Sequence, residues 1–277
     1  MRLSLCNEVI RDMPFPDQCR WAKAAGWDGL EIAPFTLAED PEALTPREIA
    51  DVKAALSDAG IVCSGLHWLL VKPDGLSITS DSIGVRARTT DFLRRLVDLC
   101  AELSGPVLVH GSPKQRTIPD GPDAEAARAR GIGCIRAAAE HAEKAGVTYC
   151  LEPLSRDQTG FVNTVAEAAR IVEESGIPAL RTMVDCSSAA IEEGDVAALL
   201  DTWLPTGLVA HIQVNDRNRR GPGEGDMKFL PILAALRRNG YAGWVAAEPF
   251  VYEPDGPACA ARSAGYLRGL IEALDGA

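Results

Sequence analysis

The chain has 277 residues, 47% hydrophobic and 24% charged, which suits a folded protein with a large core. With 28 Lys+Arg against 39 Asp+Glu, its formal charge of −11 excludes a general nucleic-acid binder, whose affinity comes largely from neutralising phosphates. No apolar run reaches the ~20 residues a membrane span needs, and the opening "MRLSLCNEVIRDMPFP" lacks the apolar stretch of a leader. The eight cysteines are scattered with no CxxC pair, so reduced, buried thiols and a cytoplasmic setting are expected.

In chain order, eight short runs read as strands: "RLSLC" from Arg2, "GLEIA" from Gly29, "IVCSGLHW" from Ile61 and "PVLVHG" from Pro106, then "VTYCLEPL" from Val147, "LRTMVDC" from Leu180, "LVAHIQVND" from Leu208 and "WVAAEPF" from Trp244. They are apolar on both faces, as parallel strands covered by helices are. Amphipathic segments lie between them. "TPREIADVKAALSDAG" carries Thr45 as N-cap, Pro46 in the first turn, Glu48 three residues after the cap and Gly60 as terminator. Gly26, Gly146 and Gly240 close other helical segments before a strand. Eight such βα units predict one α/β domain over residues 1–277, a (β/α)8 TIM barrel, which typically takes ~250 residues. The alternative, a doubly wound sheet, usually shows a glycine-rich turn after strand one, and "LCNEVIRDMPFP" has none.

A barrel collects its active-site residues at the C-terminal ends of its strands. Those ends carry Glu31, His67, His110, Glu152, Asp185, His211 with Asp216, and Glu248. Three of the four histidines are among them; His141 falls on a helix. Neighbouring strands are ~5 Å apart, so Glu152, Asp185, His211 and Glu248, from the last four strands, can converge. Three carboxylates and an imidazole brought together need protonation or a cation, and a divalent metal supplies one. Mostly oxygen with one nitrogen suits Mn2+, Mg2+ or Co2+ better than a structural zinc. The bland alternative is an acid network paired with Arg156, Arg217 and Lys114.

Such a site fits proton removal beside a carbonyl, with Lewis-acid polarisation of the carbonyl and a carboxylate base next to the C–H bond. Epimerisation, aldose–ketose isomerisation and dehydration share that step, and the residues alone leave the outcome open.

"LEPLSR", "MVDCSS", "HIQVND", "GPGEGD" and "AAEPF" resemble the sugar isomerase/epimerase superfamily of xylose-isomerase-like barrels, especially the D-tagatose and D-psicose (allulose) 3-epimerase group. The resemblance covers nearly the whole chain. It implies one divalent ion, Mn2+ foremost with Mg2+, Co2+ or Zn2+ as alternatives, bound by Glu152, Asp185, His211 and Glu248. It implies a cis-enediolate route with Glu152 and Glu248 as acid and base, and Arg217 as a substrate contact. It also implies a cytoplasmic homodimer or homotetramer acting on a small sugar, with no nucleic acid or membrane partner. Two positions depart: Ser188 stands where those epimerases carry a substrate-binding histidine, and Gln158 where they carry a glutamate. His67 and His110 are candidates for recognising sugar hydroxyls, and Trp68 for a sugar face or a lid. Glu8 and Glu31 either bind a hydroxyl or cap a loop, and Arg219 and Arg220 read as solvent-side charges.

A lyase or dehydratase on a keto-sugar or keto-cyclitol is the alternative. An endonuclease IV-like zinc enzyme also uses histidines on strands three and four. Here it would lack two further histidines, since Ser188 and Asp226-Met227-Lys228 stand in their places.

Overall fold

Short apolar strands cannot leave either face in water, and the chain solves this by closing them into a cylinder wrapped in helices. In the computed structural model, which describes residues 1–276, eight parallel strands pair in sequence order and β8 returns to β1. They are β1 (Arg2–Cys6), β2 (Gly29–Ile32), β3 (Val62–Leu66), β4 (Val107–His110), β5 (Thr148–Leu151), β6 (Leu180–Asp185), β7 (Val209–Val214) and β8 (Trp244–Ala247). Each lies within a run singled out in the sequence. The closed sheet confirms the (β/α)8 TIM barrel over the doubly wound sheet.

Alternation along each strand sorts the side chains. Leu3, Leu5, Leu30, Ile32, Ile212 and Val214 belong to the main core between sheet and helices. Val107, Val109, Cys150 and Met183 form a separate, smaller cluster filling the cylinder. The outer layer contains α1 (Phe15–Ala24), α2 (Pro46–Ala59), α3 (Ile83–Glu102), α4 (Ala124–Ala145) and α5 (Val165–Ser175). It continues with α6 (Cys186–Glu192), α7 (Val196–Trp203), α8 (Phe229–Arg238) and α9 (Gly256–Asp275). Phe92, Phe161 and Phe229 are fully enclosed, each burial worth roughly 1.5–3 kcal/mol. All eight cysteines are buried and unpaired. No described helix is long and apolar enough to cross a membrane.

Local rules hold where the sequence announced them. In α2, the Glu48 amide donates to Thr45 Oγ1 (3.3 Å), the Thr45 amide donates to Glu48 Oε2 (2.8 Å), and Gly60 takes the left-handed C-cap at φ 63°. The seven-residue α6 has no advance signal in periodicity. It starts directly at the end of β6, because Asp185 Oδ1 accepts the Ser188 amide (2.7 Å) and caps it.

The start of α9 packs directly on the turn after β1. A Cβ built on Gly256 would lie 1.8 Å from the Val9 carbonyl oxygen. Gly256→Ala should therefore destabilise the protein by about 1–3 kcal/mol through overpacking. Gly133 in α4 has open space around its Cβ position, so Gly133→Ala should gain about 0.5–1 kcal/mol from helix propensity. Urea midpoints of the two variants should move in opposite directions.

Candidate active site

The C-terminal mouth of the barrel is where β5, β6 and β8 end in acids. Glu152 and Glu248 each follow the last residue of their strand, and Asp185 is the last residue of β6. One carboxylate oxygen from each of Glu152, Asp185 and Glu248 lies within 4.8 Å of the others, and all three residues are buried. Glu152 needs room beside β4. Gly111 provides it, since a Cβ there would stand 2.0 Å from Glu152 Oε2.

Crowding sets the protonation. Burial, then the charges of Glu248 and Asp185, hold the Glu152 carboxyl well above the usual range, against the pull of Arg116 and His67. Burial also pushes Glu248 up to about 8, although its hydrogen bond and ion pair with His67 oppose this. Asp185 is raised by burial and drawn back by the Ser188 amide. That amide occupies Oδ1, while buried Oδ2 has no hydrogen-bond partner.

Of the expected four-ligand set, the three carboxylates come together and His211 does not join them. His211 pairs with Met183 in the β6–β7 register, two residues below the level of Asp185, and its Nε2 meets Glu31 Oε2 at 2.6 Å. Level with Asp185 stands Gln213. Its Nε2 donates to Glu31 Oε1 (2.7 Å), and its buried Oε1 has no partner. The sequence hint for Gln213 is parity: two residues beyond His211 it faces the same way but stands closer to the mouth. Burial would raise Glu31, but His211, His67 and Gln213 together hold it below its ordinary value.

The other expected contacts separate into two groups. His67 lies inside the mouth, with Nδ1 3.0 Å from Glu248 Oε1 and Nε2 2.9 Å from Glu8 Oε2. Trp68 Nε1 donates to the same Glu248 Oε1 (2.9 Å), and its ring packs edge-on against Phe250 at 6.0 Å. Ser188 and Gln158 sit side by side on the opposite rim, with Gln158 Nε2 donating to Ser188 Oγ (3.3 Å) and Ser155 Oγ (2.8 Å).

His110 points the other way. Its Nδ1 lies 2.5 Å from the Tyr149 hydroxyl, and burial with the charge of Arg116 pushes its pKa down to about 3. Arg217 turns away as well, donating to the Ala190 carbonyl (3.1 Å) beside a 350 Å³ groove lined by Asp195, Lys228 and Ile232. The rim arginine closer to the acids is Arg219, which pairs with Asp157 (2.6 Å) and whose charge lowers Asp185. Asp216 Oδ2 accepts the Met227 amide (3.1 Å) and so ties down the "GPGEGD" turn.

Arg116 carried no sequence signal. It is completely buried, its Nη1 donates to the Glu152 carbonyl (2.8 Å), and Nε and Nη2 have no partner. Burial lowers its pKa to about 10, with Glu152 opposing the fall. Trp68, Gly111, Glu152, Gln158, Glu248 and Phe250 bound a cavity of about 20 Å³, room for roughly one water. A 580 Å³ cavity lies at the opposite end of the barrel around Arg2, Lys53 and Trp244.

A carboxyl whose folded pKa exceeds its unfolded value binds its proton more tightly when folded, so stability falls as pH rises between the two values. With Glu248 raised from 4.5 to about 8, chelator-treated protein should lose thermal stability from about pH 5 to pH 8. Glu248→Gln should flatten that slope in a melting series. The lowered Glu31 acts at more acid pH and in the opposite sense.

Residues 19–270 match the family model described as xylose isomerase-like TIM barrel. A D-psicose 3-epimerase of Agrobacterium fabrum is 30% identical over 231 residues, 82% of this chain and 76% of its own. The 3-dehydro-D-guloside 4-epimerase of Escherichia coli is 27% identical, covering 97% of this chain and 99% of its own. The crystal structure of D-psicose 3-epimerase in the presence of D-fructose has the same fold, with TM-score 0.83 at 23% identity over 98% of this chain and 99% of that one. The chain therefore belongs to the xylose isomerase-like TIM barrel family, and the named relatives it resembles are sugar epimerases.

Proposed function

We propose that this chain is a divalent-metal-dependent epimerase or isomerase of keto-sugars, with Glu152 and Glu248 as its acid/base pair. The observation that carries the reading is the buried cluster of Glu152, Asp185 and Glu248. Isolated buried charges are costly, and the raised carboxyls of this cluster mark a site built for something cationic. The donor set fits a hard divalent ion, Mn2+ foremost. Its holders would be Glu152, Asp185 through Oδ2 and Glu248, with His211 or Gln213 from β7 as the fourth. Both leave a buried atom without a hydrogen-bond partner among the described residues, His211 Nδ1 and Gln213 Oε1; Gln213 is level with Asp185 and His211 two residues below it. When bound, such an ion supplies Lewis-acid polarisation of a carbonyl.

The remaining work falls to the protein's own side chains. Glu152 and Glu248 approach from β5 and β8, far apart around the barrel. One removes the proton beside the carbonyl and the other returns a proton to the opposite face, which inverts the carbon. Arg116, fixed to the Glu152 carbonyl, favours the charged form of Glu152. Trp68 and Phe250 roof the cavity and keep bulk water from the carbanion-like intermediate. Gln158, Ser188 and Arg219 on the rim are placed to meet substrate hydroxyls.

The test is solvent deuterium exchange into a panel of free ketoses, ketose phosphates and a 3-keto-glycoside, with Mn2+ and after chelation. Exchange that needs Mn2+ and falls at least about 10²-fold in Glu152→Gln and Glu248→Gln is expected. No exchange into any panel member would sink the proposal. In the same preparations the Mn2+ affinities of His211→Ala and Gln213→Ala identify the fourth holder, whose loss should weaken binding the more.

A further inference from the structure

Glu248 is held by more than its own strand. Its Oε1 accepts from Trp68 Nε1 and lies 3.0 Å from His67 Nδ1, whereas Oε2 takes no hydrogen bond among the described residues. The other nitrogen of His67 faces Glu8 Oε2 at 2.9 Å. Both ring nitrogens are thus committed to carboxylates, and none is left for a sugar hydroxyl. Glu8 lies in the turn after β1, is itself buried, and has no hydrogen-bond donor besides His67. Glu31 Oε1, at 3.9 Å from His67 Nδ1, steadies the ring from below. Three strand ends therefore meet in one file, Glu8–His67–Glu248, with its last member in the carboxylate cluster.

We infer that Glu8 and His67 are a positioning pair for Glu248: Glu8 fixes the His67 ring, and His67, with Trp68, fixes Glu248 so that Oε1 is occupied and Oε2 stays free to work. This rests on the proposed function, for Glu248 must be the acid/base group. Its chemistry is that of any acid that orients an imidazole which orients a reacting group. Partners that orient metal-binding or catalytic side chains typically contribute 10–100-fold in metal affinity or activity. A carboxylate free to rotate loses both the geometry for proton transfer and its alignment toward a cation.

The pair is tested on the full chain by Mn2+ affinity, read from the free-ion paramagnetic resonance signal, with kcat and KM for whichever keto-sugar is turned over. His67→Ala should weaken Mn2+ binding and lower kcat about 10–100-fold, with KM within about threefold of wild type. His67→Asn, which puts an amide donor near the Nδ1 position, should recover most of both losses. Glu8→Gln, which leaves a neutral partner for the ring, should fall between. If His67→Ala fails to fold, the latter two, closer in volume to the native residues, carry the test. A raised KM with kcat and Mn2+ affinity intact would overturn the pair by making His67 a substrate contact. Two Mn2+ or Zn2+ per wild-type chain, dropping to one in Cys6→Ser, would also overturn it, since Cys6, Glu8, His67 and Glu248 would then hold an ion of their own. A wild type that binds Mn2+ and exchanges substrate hydrogen, with variants that match it, overturns the pair alone. A wild type that does neither overturns the functional reading and the pair with it.

Discussion

The barrel mouth buries more acid than base, and much of the local structure answers that imbalance. Glu8, Glu31, Glu152, Asp185 and Glu248 are all buried there. The buried side chains able to offset them are three: His67, His211 and Arg116. His110 does not help, because burial and Arg116 keep it neutral. The acids outnumber the groups that could balance them, which leaves a deficit of positive charge. A water-poor interior tolerates such a deficit poorly, so the acids either hold protons or gather round a cation. The raised carboxyls of Glu152 and Glu248 are the first answer, and Asp185 Oδ2, buried without a partner among the described residues, is free for the second.

The imbalance is not spread evenly, and chemistry depends on that. Glu31, deepest of the five, takes His211 and Gln213 and stays below its ordinary pKa, so it acts as a fixed negative charge. Glu248 is engaged through one oxygen by His67 and Trp68. Glu152 has only the more distant fields of Arg116 and His67, and Arg116 holds its main chain rather than its carboxylate. Two carboxyls with different surroundings are what a stepwise proton transfer uses, since one must accept where the other donates.

The fold was legible because its signals are local. Capping residues, terminating glycines and short apolar runs each report on a few neighbouring positions, and all eight strands follow from them. The three carboxylates were legible too, because a barrel fixes where strand ends go. What the sequence leaves open is placement that turns on one or two residues of register. His211 and Gln213 have the same parity and both face inward, so only the pairing of β7 with β6 reveals which stands level with Asp185. His110 ends its strand like the acids but on the opposite parity, and so meets Tyr149 outside the cylinder. Arg217 and Arg219 share one turn, where the positive φ of Arg219 (62°) redirects the chain. Arg116 was invisible because nothing in a loop sequence marks an arginine for complete burial.

The substitution of Ser188 and Gln158 for a histidine and a glutamate takes on a physical sense in this setting. A further glutamate on the rim would be one more carboxyl near Glu152 and Asp185, and its charge would need another cation. Gln158 keeps the hydrogen-bonding reach without the charge, and it binds Ser188 and Ser155 instead. That side of the pocket carries short neutral groups beside the charge of Arg219, while the other side is the aromatic wall of Trp68 and Phe250, the latter 37% exposed at the rim. A ligand presenting an apolar face toward Trp68 would find that wall already in place.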